Sequence, residues 1–159
     1  MYLATAKTID GTPMIVMRPR MQNTTSHDGQ MKLLVYTIER CLAELPPDGS
    51  VPPDQEKTVW CIDYKGWSLS NAPPMKTSLE TLNILQNHYP ERLKEAICYN
   101  PPRIFGVFWK MVSPFIDANT VKKVLFVYSK DKAKGKGLEA MKERFDMEKL
   151  ESVGEVVQT

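Results

Sequence analysis

Asp63-Tyr64-Lys65-Gly66 follows an apolar run, the setting in which an Asp-x-x-Gly element meets a nucleotide phosphate. That chemistry also needs a GxxxxGK[ST] loop after an earlier strand, and the chain contains none. Lys134-Gly135-Lys136-Gly137 lacks both the spacing and the preceding strand. The nucleotide reading fails. Nucleophilic catalysis has little more support, since there is no GxSxG elbow and neither His27 nor His88 belongs to a nucleophile motif. Two readings of Asp63 fit: a ligand contact at the carboxyl end of a strand, where α/β sites form, or an acid that bonds nearby backbone amides. Cys41, Cys61 and Cys98 are widely spaced among apolar neighbours, without a CxxC or Cys/His ligand pattern. They read as buried free thiols in a reducing compartment. No catalytic residue, metal ligand or cofactor is therefore nominated.

The chain has 159 residues, enough for one domain with a buried core. A formal charge of +2 is too small to make nucleic acid the main partner, although Lys130, Lys132, Lys134 and Lys136 form a local basic cluster. That cluster fits either a solvated loop or an anionic surface contact. The longest apolar runs are too short to cross a bilayer, so membrane contact is expected to be peripheral and the protein cytoplasmic.

The elements that must position any site alternate. Met14 to Met17 follows the Asp10-Gly11-Thr12-Pro13 turn as a short buried strand. Asp28 offers a helix cap before Met31, Leu34, Val35, Ile38, Leu42 and Leu45, and Pro46-Pro47 end that helix. Thr58 to Asp63 is nearly continuous in apolar residues, as the middle of a parallel sheet requires. Ser78 starts the next helix, which stops near Tyr89-Pro90. Strands at Ala96 to Tyr99 and Lys123 to Tyr128 follow, then a polar helix from Leu138 to Arg144. With no two-residue hairpin signal between strands, this order predicts a mostly parallel sheet with crossover helices.

One segment is unusual. Ile104, Phe105, Val107, Phe108, Trp109, Met111 and Val112 put apolar groups on more than one helical face. The pattern fits a helix buried all round, or one that faces an apolar cavity on one side and a bilayer on the other.

At these residues the sequence resembles the CRAL-TRIO lipid-binding domains, the phosphatidylinositol-transfer-like family, and its plant-type members most. The resemblance runs from about Asp10 to Leu150. It is carried in order by Asp10 to Pro13, Ile62 to Ser68, His88-Tyr89-Pro90-Glu91-Arg92-Leu93, Tyr99 to Pro102, Phe105 to Trp109, and Pro114 to Asp117 with Thr120 and Lys123. It implies an α/β fold in which a mixed, largely parallel sheet floors an apolar lipid pocket, with crossover helices and a gate helix over residues 102–112. Residues 1–159 are then one lipid-binding domain, with 1–9 and 151–159 loose. The helical region that precedes the domain in the family is not matched here.

The resemblance also implies residue roles. Thr120 and Lys123 match the threonine and lysine that hold the inositol phosphate, and a hydroxyl and a cation one helical turn apart can reach one phosphate. Glu91 matches the glutamate that pairs with that lysine. Of the positions matching a choline-lipid site, Ala4, Ile15, Thr58 and Trp60, only Thr58 keeps a hydroxyl, as a second headgroup contact. Phe105, Phe108, Trp109 and Val112 belong to the gate and pocket, with Phe105, Phe108 and Trp109 expected to enter a membrane interface when the gate opens. The implied partners are a phospholipid, phosphatidylinositol above others, and a transient membrane surface. The implied function is phospholipid transfer without catalysis. Rival readings are a sensor that presents lipid to a partner such as a lipid kinase, and an interaction domain without ligand.

Overall fold

The computed structural model describes residues 2–22, 25–46, 50–52, 56–129 and 137–152. The Lys130 to Lys136 cluster lies outside them. Five strands, β1 (Tyr2–Lys7), β2 (Pro13–Met17), β3 (Thr58–Asp63), β4 (Leu93–Tyr99) and β5 (Val124–Val127), form one sheet in that order. β2 to β5 run parallel, as the alternation of elements predicts, and β1 is antiparallel to β2. The fold is mixed α/β.

Within residues 1–9, expected to be loose, residues 2–7 form an edge strand. Tyr2–Lys7 pairs along β2 through Tyr2↔Val16 and Lys7↔Pro13, covering a backbone edge that would otherwise lack partners. The turn between them is the hairpin that a two-residue signal missed. Gly11 has φ +82°, and Thr8 and Asp10 side chains bind the Thr12 amide and hydroxyl. At the other end, α6 (Met147–Ser152) extends through Glu151 and Ser152, and residues 153–159 lie outside the described set.

Helix starts differ from the sequence expectation by local capping. α1 (His27–Leu42) is capped by Ser26, whose side chain accepts a hydrogen bond from Gly29 N at 3.2 Å. Asp28 instead sits in the first turn, where its charge suits the helix dipole. α2 (Met75–His88) starts directly after Pro73-Pro74, so Thr77 and Ser78 are already inside it and buried. α3 (Phe105–Val112) starts after a turn in which Phe105 N donates to Pro102 O. α4 (Ala118–Lys122) and α5 (Glu139–Lys142) complete the helices used below.

Period-two alternation sends the strand side chains to opposite faces. Met14, Val16, Val59, Cys61, Ile97, Tyr99 and Val127 pack with Ala140, Met141 and Phe145 into a closed core. Ile15 and Trp60 meet α1 on the other face, and Cys98 meets Tyr64, Trp67 and Phe105 there. Arg144 grips Glu95 with two nitrogens at 2.5 and 2.9 Å, tying the segment after α5 to β4. Phe145→Ala should cost about 3–5 kcal/mol in a denaturant titration, because a fully enclosed ring is removed. The exposed Tyr36→Ala should stay within about 0.5 kcal/mol in the same experiment.

Candidate functional site

A cavity of about 520 Å³ lies on the open face of the sheet, between α2 and α3. Its floor follows from strand alternation: Met17, Trp60, Ile62, Ala96, Cys98 and Val124 all point to that face. Leu82 and Leu85 of α2, with Tyr89 at its C-cap, form one wall. Phe105, Phe108, Trp109 and Val112 of α3 form the other. Glu91, Thr120 and Lys123 line it as well, together with Thr58. The fold thus brings all eight nominated residues onto one cavity.

Lys123 and Glu91 are a pair. Lys123 Nζ lies 3.1 Å from Glu91 Oε2, with the lysine side chain 23% exposed and the glutamate 75% exposed. Glu91 is held in the left-handed backbone region at φ 58°, which non-glycine residues adopt at a cost, and this aims the Tyr89-Pro90-Glu91 turn over the cavity. Thr120 lies in α4 and Lys123 directly follows it, so one turn of helix separates them. Asp117 caps this helix by accepting from Asn119 N at 3.0 Å and Thr120 N at 2.9 Å. Hydrogen bonds from the Thr120 side chain and backbone hold the Asp117 carboxyl below its ordinary range. Sequence reading placed Asp117 in a family motif without its capping role, although Asp-x-x-Thr before a short helix carries a cap signal.

Thr58 lines the cavity, but its hydroxyl is engaged. It donates to the Arg92 carbonyl at 3.2 Å and accepts from Trp60 Nε1 at 3.1 Å. The structure makes this hydroxyl the partner of a buried indole.

α3 is two-sided, as the cavity-facing reading of its pattern expects. Phe105 is buried against Tyr64 (centroids 4.4 Å), Phe108 lies 5.8 Å from Trp67, and Trp109 lies 5.5 Å from Phe126. Its outward residues are Ile104, Val107 and Met111, with Phe115 just beyond, all exposed. The rings expected at a membrane interface therefore point inward, and the aliphatic side chains face out. Helical spacing of three and four decides this.

Asp63 is nearly fully buried and lies outside the cavity lining. It accepts from Lys65 N and Arg20 Nη1, both at 2.9 Å, so it fixes the turn after β3. The charged residues of the cavity lining, Glu91, Arg92, Asp117 and Lys123, gather near the amino ends of β4 and β5, opposite the end where α/β sites usually form. Cys41, Cys61 and Cys98 are buried and in no disulfide, and burial pushes the Cys98 thiol up to about 12. His27 Nδ1 lies 3.0 Å from the Thr77 hydroxyl, and His88 is exposed. Among the described residues, no three His, Cys, Asp or Glu could hold a metal, and no helix is long and apolar enough to cross a membrane.

A parallel sheet flooring an apolar cavity, walled by a two-sided aromatic helix, defines the class: an α/β ligand-enclosing domain. The family model for the CRAL/TRIO domain matches residues 3–153, and the chain belongs to that family. It is 38% identical over 117 residues to a CRAL-TRIO domain-containing protein of Schizosaccharomyces pombe, covering 74% of this chain and 11% of that protein. It is 34% identical over 119 residues to the phosphatidylinositol transfer protein PDR17 of Saccharomyces cerevisiae, covering 72% and 32%. With the SEC14 cytosolic factor of Kluyveromyces lactis it shares 28% over 148 residues, covering 86% and 49%. The chain thus spans less than half the length of each of these relatives. The fold is similar to that in the crystal structure of Sfh5, with a TM-score of 0.61, 22% identity, and coverage of 82% of this chain and 47% of that one.

Thr58→Val should destabilise the fold by about 1–3 kcal/mol, since it leaves the Trp60 indole N–H buried without its acceptor. Equilibrium unfolding followed by tryptophan fluorescence checks this, and an unchanged midpoint contradicts the assigned role.

Proposed function

We propose that this domain shelters one phospholipid, phosphatidylinositol above others, in the cavity and exchanges it with membranes. The observation that carries the reading is a largely apolar cavity with one lysine at its polar end, held by an exposed glutamate. A headgroup phosphate competes with Glu91 for Lys123 and with Asp117 for the Thr120 hydroxyl, the two residues lying one helical turn apart. The acyl chains lie over Trp60, Ile62, Ala96 and Cys98. Each methylene exposed to water costs about 0.8 kcal/mol, so desorption of a two-chain lipid is slow unless the chains stay covered. The domain supplies that cover and makes or breaks no bond.

Exchange requires the cover to lift, and α3 is the movable wall. Gln86 Nε2 of α2 donates to the Phe115 carbonyl at 3.0 Å, a polar tie from α2 to the turn that follows that wall. The outward Ile104, Val107, Met111 and Phe115 suit a bilayer interface. Residues 64–76 and 100–116 carry Lys65, Lys76, Arg103 and Lys110 and no carboxylate, which favours an anionic surface. Membrane contact is then peripheral, and the free thiols support a reducing, cytoplasmic setting.

Lys123→Ala should abolish transfer of phosphatidylinositol between vesicles while circular dichroism and the thermal midpoint stay unchanged. Undiminished transfer by that variant overturns the headgroup assignment. Met111→Glu or Val107→Glu should slow transfer about tenfold or more without emptying the cavity, because a charge on the docking face opposes insertion. Native mass spectrometry and a vesicle assay separate the two effects.

A further inference from the structure

The cover over the cavity is one stretch of chain between two polar anchors. At its start Asn100 stands at φ 49° and gives its amide to the Val127 carbonyl. Its side chain accepts from Ser129 N at 2.9 Å and donates to Ser129 Oγ at 3.0 Å. At the other end, Asp117 caps α4 through the Asn119 and Thr120 amides. Residues 101–116 lie between these anchors. Among the described residues, their one hydrogen bond to the rest of the domain is that of the Phe115 carbonyl with Gln86 Nε2, at 3.0 Å. Pro101, Pro102 and Pro114 have no amide hydrogen with which to add another. A carbonyl only accepts, so the Gln86 carboxamide must turn its nitrogen to it.

Around that bond the stretch is held by rings. Phe105 rests on Tyr64 and Phe126, Phe108 on Trp67, and Trp109 on Phe126. Apolar contacts are non-directional, and a hydrocarbon chain lying in the cavity replaces them at similar energy. It cannot replace a hydrogen bond. The Gln86 bond is therefore the directional contact that separates the closed cover from a lifted one. Gln86 itself lines the cavity, one turn of α2 before Tyr89-Pro90-Glu91, and Ile116 and Asp117, next to Phe115, line it too. The bond thus sits near the charged end, where Glu91 and Lys123 meet.

Resting on the carrier reading above, we propose that Gln86 is a positioning residue for lipid exchange: its hydrogen bond to the Phe115 carbonyl latches the cover and sets how often the cavity opens. Exchange passes through the lifted state, so its rate follows the population of that state. One neutral hydrogen bond shifts such a population about three- to tenfold.

The test uses two variants and two readouts. Gln86→Met keeps the length and helix preference of the side chain without its donor, and Gln86→Glu keeps its shape with acceptors only. The first readout needs no lipid. Cys98 is buried on the cavity floor in the cluster of Phe105, while Cys61 lies in the closed core on the opposite face. Labelling by N-ethylmaleimide, mapped by peptide mass, should be about three- to tenfold faster at Cys98 in both variants and unchanged at Cys61. The second readout is release of phosphatidylinositol from the loaded domain to phosphatidylcholine vesicles, which should quicken by the same factor in Gln86→Met. Cys98 labelling at the wild-type rate, or Cys98 and Cys61 accelerated together, overturns the latch. Faster Cys98 labelling with unchanged release overturns its control of exchange. A wild-type chain that takes up no phosphatidylinositol overturns the carrier reading, and the labelling still decides the latch.

Discussion

A parallel sheet with two apolar faces must have both faces covered, and the rest of this structure follows from how differently the two are covered. On one face the segment from Leu138 to Met147 presses Ala140, Met141 and Phe145 onto Met14, Val59, Cys61 and Ile97, and the core closes. On the other, α1 and α2 cover the part around Ile15 and Trp60, while α3 stands over Cys98 and Phe126. α3 has only eight residues, about 12 Å of helix, and its N-terminal half rests on an aromatic cluster. The gap between α2 and α3 is the cavity. It is a cover left incomplete on one side of a complete sheet.

The two ends of that gap differ chemically because the two ends of the strands do. At the carboxyl ends the backbone is tied off. Asp63 takes Arg20 and the Lys65 amide, and Asn100, itself at φ 49°, accepts from the Ser129 amide at 2.9 Å. At the amino ends, β4 and β5 are entered from the Tyr89–Arg92 turn and from α4, and these bring Glu91, Thr120 and Lys123 to the cavity. Charge therefore collects at one end and aromatic surface at the other. An amphipathic guest matches that gradient in one orientation.

The same division explains why α3 has no single polar face. A wall of an apolar cavity needs aromatic residues inward, here Phe105, Phe108 and Trp109. Its outer side carries Ile104, Val107 and Met111, which a helix facing only water would replace with polar groups. The polar tie from Gln86 to the Phe115 carbonyl sits just past the end of this wall.

Strand and helix order were legible in the sequence, because near-continuous apolar runs such as Thr58 to Asp63 belong inside parallel sheets and apolar spacing of three and four marks helices. The family motifs carried Glu91, Thr120 and Lys123, and all three line the cavity. Boundaries were less legible: Ser26 rather than Asp28 caps α1, and Tyr2–Lys7 is an edge strand, because caps and edges are settled by local hydrogen bonds that composition does not encode. Only the tertiary structure could decide that Thr58 serves Trp60, that Asp63 serves Arg20, and that the α3 rings point inward. Periodicity determines which residues share a face; what each face meets depends on contacts between segments far apart in the chain.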